Sequence, residues 1–178
     1  MRRLAGIPIL ALVLAACANE PIAPGSGVSE PTFDETRLGI YEALTREVVG
    51  AEGPGFEWKR IVIVSKLCEN AGQPDQPKGC TDELSADEQA ELASRTEGLA
   101  PKIEFIADPT PLYDDRWLSG QSQTLVVHLG TIGDHGDGVA VGGSHGCGGL
   151  CGGGTTYLLE EKASGWEVVG STGSAWIS

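Results

Sequence analysis

The sequence predicts an α+β domain, with an N-terminal helix and a second helix packed on one face of a curved antiparallel sheet. Three observations carry this expectation. An apolar stripe at helical spacing runs from Leu38 to Val48. A second helix signal opens at Ser85. From residue 123 onward the chain reads as consecutive short strands separated by turn residues.

The first helix begins at Thr32-Phe33-Asp34-Glu35, which offers a capping box with Thr32 as cap and Glu35 three residues on. Leu38, Tyr41, Leu44 and Val48 follow on one face. Gly50 is placed to end the helix in a left-handed conformation. Ile61-Val62-Ile63-Val64 is a β-branched run and predicts a buried strand continuing toward Leu67. Residues 69–83, with glycine, proline and polar side chains, predict a loop pinched by Cys68 and Cys80. Ser85-Ala86-Asp87-Glu88 is a second capping box, and its helix stops around Gly98. Lys102 to Ile106 alternates as a strand does, and Pro109 to Gly120 predict another loop.

Beyond residue 123, strands are expected at 124–129, 139–141 and 155–161. Gly133 to Gly138 predict a hairpin turn. Ser164-Gly165 predict a turn into 166–169, and 175–177 a last short strand. In element order the chain resembles cystatin-like and nuclear-transport-factor-like folds, and that likeness implies no function.

The first 30 residues differ in kind from the rest. Arg2 and Arg3 precede an uncharged apolar run from Leu4 to Leu14, and Ala15-Ala16-Cys17 follow. This is the pattern of a secretory signal with a small-residue cleavage site. The run is shorter than the ~20 residues of a membrane span. Leu14-Ala15-Ala16-Cys17 resembles the lipobox of bacterial lipoproteins. The resemblance implies removal of residues 1–16 and two or three acyl chains, palmitate among them, on Cys17. Because Ala18 is not an aspartate, it also implies sorting to the outer membrane of an organism that has one. Residues 17–30 are rich in Pro, Gly and Ser and read as a tether, which leaves 31–178 as a single globular domain. The segments Cys147 to Gly152, Thr156 to Glu160, Gly165 to Val168, Gly170 to Gly173 and Ala175 to Ser178 resemble a family of bacterial secreted proteins with no known activity. That resemblance carries over no catalytic residue.

Charge excludes one class of function. The chain holds 12 basic and 25 acidic residues, a formal charge of −13. Losing Arg2 and Arg3 with the signal would bring it to −15. A domain this acidic repels nucleic acid. With Cys17 acylated, Cys68, Cys80, Cys147 and Cys151 remain. An even number in an exported chain points to disulfides, and Cys68–Cys80 and Cys147–Cys151 close the shortest loops.

Three chemistries merit comparison. All three histidines, His128, His135 and His145, fall within 18 residues, and Asp134 and Asp137 flank the middle one. Imidazole and carboxylate suit a divalent transition metal such as zinc, copper or nickel. Residues 142–154 hold eight glycines and read as a wide turn or bulge braced by Cys147–Cys151. The two cysteines are three residues apart, not the two of a thioredoxin-like motif, so a thiol–disulfide role is the weaker alternative. Gly142-Gly143-Ser144-His145-Gly146 has the spacing of a nucleophile elbow but no helix follows it. The adjacent carboxylates Asp114-Asp115 and Glu160-Glu161 point apart in extended chain and form no acid–base pair. No catalytic constellation emerges. The expected function is that of a lipid-anchored envelope protein with a non-catalytic domain. That domain would bind a small-molecule or protein partner, or play a structural role. Metal binding through His128 and His145 is the alternative.

Overall fold

In the computed structural model, residues 34–51, 57–74, 78–119, 122–149 and 151–178 are described. They belong to one compact unit, Pro31–Ser178. The lipobox, the tether and Thr32 lie outside the described residues.

Helix α1 spans Glu35–Gly50. Its cap is Asp34, whose Oδ1 accepts from the backbone N–H groups of Thr36 at 2.9 Å and Arg37 at 3.3 Å. The predicted stripe Leu38, Tyr41, Leu44 and Val48 is fully buried. Gly50 does not stop the helix in a left-handed turn. It is the last helical residue, and Ala51 beyond it keeps a right-handed φ of −61°. Helix α2 spans Ala86–Arg95, with the complete Ser85/Glu88 capping box that the sequence predicts.

The sheet has seven strands: β1 Arg60–Cys68, β2 Asp82–Glu83, β3 Ile103–Ile106, β4 Thr124–His135, β5 Gly138–Gly148, β6 Cys151–Lys162 and β7 Gly165–Ile177. The α+β class holds, but the sheet is mixed. Strand β1 runs parallel to both β3 and β4, while β4 to β7 form an antiparallel meander. The reason lies in the connections. Helix α2 is the crossover between β1 and β3, and a crossover of this kind permits parallel pairing where a hairpin does not.

The helices also divide between the two faces of the sheet. Ile61, Ile63, Ile103, Phe105, Leu125, Val127 and Leu129 pack with α1 and Leu92 of α2 in the main core. Val62, Val64 and Val126 point the other way and meet Ile106, Leu112 and Trp117. The last two come from the segment expected to be a loop. It contains a 3-10 turn, Thr110–Leu112, and a single-turn helix α3, Asp115–Leu118, capped by Asp114. This segment connects β3 to β4 across the second face.

The glycine-rich stretch is strand rather than loop. Seven of its eight glycines lie in β5 and β6, and only Gly149 stands in the turn. A Cβ on Gly143 would come within 3.0 Å of Leu44 and Tyr157 and 3.1 Å of Val48, so α1 rests directly on the β5 backbone. On the opposite face a Cβ on Gly142 would meet the backbone of Gly72 at 2.8 Å. One on Gly154 would meet Trp176 at 2.7 Å. Bare backbone on both faces is what lets a helix and a loop approach the same strands.

Both cysteine pairs expected from spacing are bonded, with Cα separations of 4.0 Å for Cys68–Cys80 and 5.2 Å for Cys147–Cys151. The last two predicted strands are one continuous strand, β7, entered through Gly165 at φ +115°. The predicted turn at 133–138 narrows to Gly136-Asp137, with Gly136 at φ +59°. Among the described residues no helix is long and apolar enough to cross a membrane.

Candidate functional site

Directly opposed residues in neighbouring strands share a face. By that rule one cross-strand row runs Ile106, Val64, His128, Ser144, Gly154, Trp176, from β3 to β7. The middle of this row is the floor of a cleft of about 370 Å³. Tyr113 and Trp117 form one wall, their ring centroids 4.6 Å apart. Trp176 and the described part of the Cys68–Cys80 loop form another. The loop is tied down by a hydrogen bond from Trp176 Nε1 to the carbonyl of Gly72, at 3.0 Å.

The glycines shape this cleft. Gly146 lies beneath Trp117, whose ring a Cβ there would approach to 3.3 Å. Gly154 leaves room for the indole of Trp176. Two aromatic rings thus lie close to the sheet and line the cleft, an arrangement that larger floor residues would prevent.

Of the two histidines that line the cleft, His128 and His145, the strand register turns His128 toward it. Burial lowers the pKa of His128 to about 4, because desolvation disfavours the imidazolium. Its Nε2 lies 3.5 Å from the Tyr113 hydroxyl. Its Nδ1 is buried with no hydrogen-bond partner among the described residues, and the same holds for Nε1 of Trp117. Burial also raises the pKa of the Tyr113 phenol. Near neutral pH both side chains are therefore uncharged. At the rim stand Lys66 and Asp108, one of each sign. The Asp108 carboxyl is held below its usual range, chiefly by the side-chain hydrogen bond from Thr110 and then by that residue's backbone N–H. Asn70, Gln73 and Ser144 supply further polar atoms to the lining, and Val64, Val126 and Ala71 apolar surface.

The predicted metal ligands do not converge. His128 opposes Ser144, whereas His145 opposes Val127, which belongs to the main core. The two imidazoles therefore project from opposite faces of the sheet. An ion within ~2.1 Å of both is ruled out by that register. His135 stands seven residues further along β4, roughly 20 Å away at the exposed hairpin end, with Asp134 and Asp137. Among the described residues no group of three or more metal-type side chains assembles. Periodicity alone could not have flagged this, since residues 128 and 145 have no fixed relative facing until the β4–β5 register is known.

Ser144 and His145 likewise point apart, as neighbours in a strand must, so the elbow-like spacing builds no dyad between them. Cys68, Cys80, Cys147 and Cys151 are all bonded, so they present no thiol to metal or substrate. Asp114 caps α3 through Trp117 N at 2.8 Å, a structural task. Glu160 pairs with Lys162 at the meander's far end. What sequence reasoning missed is the aromatic cleft itself. Tyr113, Trp117 and Trp176 are separated by up to 63 positions in the chain, and only strand order brings them together.

Compared with protein-family models, with curated proteins and with solved structures, the chain matches none.

Proposed function

We propose that this chain is a lipid-anchored bacterial envelope protein whose folded domain binds a small uncharged ligand without transforming it. The anchoring rests on Leu14-Ala15-Ala16-Cys17 behind Arg2, Arg3 and the apolar run. The binding role rests on one observation: a neutral, half-buried His128 at the base of a cleft walled by Tyr113, Trp117 and Trp176. Aromatic rings supply large apolar contact with little conformational entropy to lose, and a few polar atoms fix orientation. With one positive and one negative residue at the rim, the cleft has no net charge to offer a charged ligand. The ligand class is therefore a compound with a flat apolar face and a hydrogen-bonding edge.

Two experiments test this. Metabolic labelling with a palmitate analogue should mark the wild-type chain and leave Cys17→Ala unlabelled. Equal labelling of the two would contradict the anchor. Calorimetric titration of the detergent-solubilised chain with benzamide, benzoate and benzylamine should show saturable binding of the neutral amide alone. Preference for either charged compound would contradict the neutral cleft.

A further inference from the structure

A second cavity, of about 440 Å³, lies at the amino-terminal ends of the parallel strands β1, β3 and β4. Its walls carry Lys59, Arg60, Lys102 and Arg116, with the hydroxyls of Ser122 and Thr124. The chain has 12 basic residues and a formal charge of −13. A third of its cations are thus gathered around one cavity on an otherwise acidic protein.

Their compensation is incomplete. Arg60 and Lys102 both pair with the single carboxylate of Glu104. Asp114 also lines the cavity, but its Oδ1 already accepts from Trp117 N at the start of α3. Among the described residues no carboxylate forms an ion pair with Lys59 or Arg116. Four cations against two carboxylates leave an excess of two positive charges. By contrast Arg37, Arg46, Arg95 and Lys162 each stand against carboxylates of their own. Like charges held together cost free energy unless an anion offsets them, and salt screens them only in part.

We infer that this cavity is a binding site for a phosphate-type dianion. The excess of two charges matches a dianion. The Arg116 guanidinium offers paired N–H donors to its oxygens, Lys59 and Lys102 add point charges, and the Ser122 hydroxyl adds a neutral donor, since that of Thr124 already donates to the Ser122 carbonyl. The site is separate from the neutral cleft, and Trp117 lines both. A phosphate could come from a soluble compound or from a lipid headgroup, and for a chain tethered to a membrane both are within reach.

Lysine footprinting of the full chain distinguishes these sources residue by residue. The chain is treated with an amine-acylating reagent, and the modification of each lysine is read by mass spectrometry. One arm adds pyrophosphate to detergent-solubilised protein. The other compares protein in phosphatidylcholine vesicles with and without phosphatidic acid, whose phosphomonoester headgroup can carry two charges. Lys59 and Lys102 should be modified about tenfold more slowly at a ligand concentration roughly ten times Kd, while Lys66, Lys78 and Lys162 keep their rates. Protection in the pyrophosphate arm assigns a soluble ligand, and protection only with phosphatidic acid assigns a headgroup. In either case Arg116→Glu should abolish the protection. Unchanged rates in both arms, protection of all lysines alike, or protection that survives Arg116→Glu would overturn the inference.

Discussion

The indole N–H of Trp176 donates to the carbonyl of Gly72 at 3.0 Å, across 104 positions of sequence. This bond joins the last strand to the Cys68–Cys80 loop and sets the width of the aromatic cleft. Trp176 reaches Gly72 only because Gly154 beneath it has no side chain, and Gly72 itself lies against the Thr155 carbonyl. Trp176→Phe keeps most of the wall and removes the donor. It should lower stability by about 1 kcal/mol, the net worth of a typical hydrogen bond. Chemical denaturation measures this, and a change within error would show that the loop is held by Cys68–Cys80 alone.

The glycines of β5 carry a second expectation. Gly143→Ala places a methyl against Leu44, Tyr157 and Val48 under α1. Overpacking of this kind should cost about 1–3 kcal/mol. Gly170→Ala in β7, where a Cβ meets nothing within 4 Å, should stay within about 0.5 kcal/mol. Comparing the two melting curves separates close packing from the general entropy of glycine. Equal effects would refute the close-packing account.

His128 makes stability depend on pH in a defined window. Its folded pKa, about 4, lies below the 6.5 of an unhindered imidazole. Above 6.5 the ring is neutral in both states. As pH falls through 6.5 the unfolded chain takes up a proton that the folded chain refuses, so stability declines. The decline ends near pH 4, where the folded ring protonates too. Its full size is on the order of 3 kcal/mol. His128→Gln should flatten the profile between these limits relative to wild type. Parallel profiles would mean that burial does not hold the ring neutral.

Much of the scaffold was legible in the sequence. The α1 stripe, the Ser85 capping box, the Ile61–Val64 strand and both disulfides follow from local rules of spacing, and the structure contains each of them. What was not legible depends on long-range register. The parallel pairing of β1 with β3 and β4 is decided by which face each crossover takes, and no local pattern records it. Residues 142–154 read as a loop because glycine is costly to order in isolation. In the fold, contacts from Gly72, Leu44 and Trp176 use the bare backbone of Gly142, Gly143 and Gly154. The three histidines looked like a cluster because 18 residues hold them all. The pairing of His128 with Ser144 and of His145 with Val127 sends two of them to opposite faces.

The central claim is that the cleft beneath Tyr113, Trp117 and Trp176 is a ligand site. Nitrogen-15 NMR of the four tryptophan indoles tests it most directly, with benzamide titrated into the detergent-solubilised chain. Trp176 lines the cleft and not the basic cavity, whereas Trp58 is buried in the main core and Trp166 packs against Gly39 of α1. The account predicts saturable shifts of the Trp176 and Trp117 signals, with Trp58 and Trp166 unmoved. A Trp176 signal that stays in place, or four signals that drift together, would contradict it.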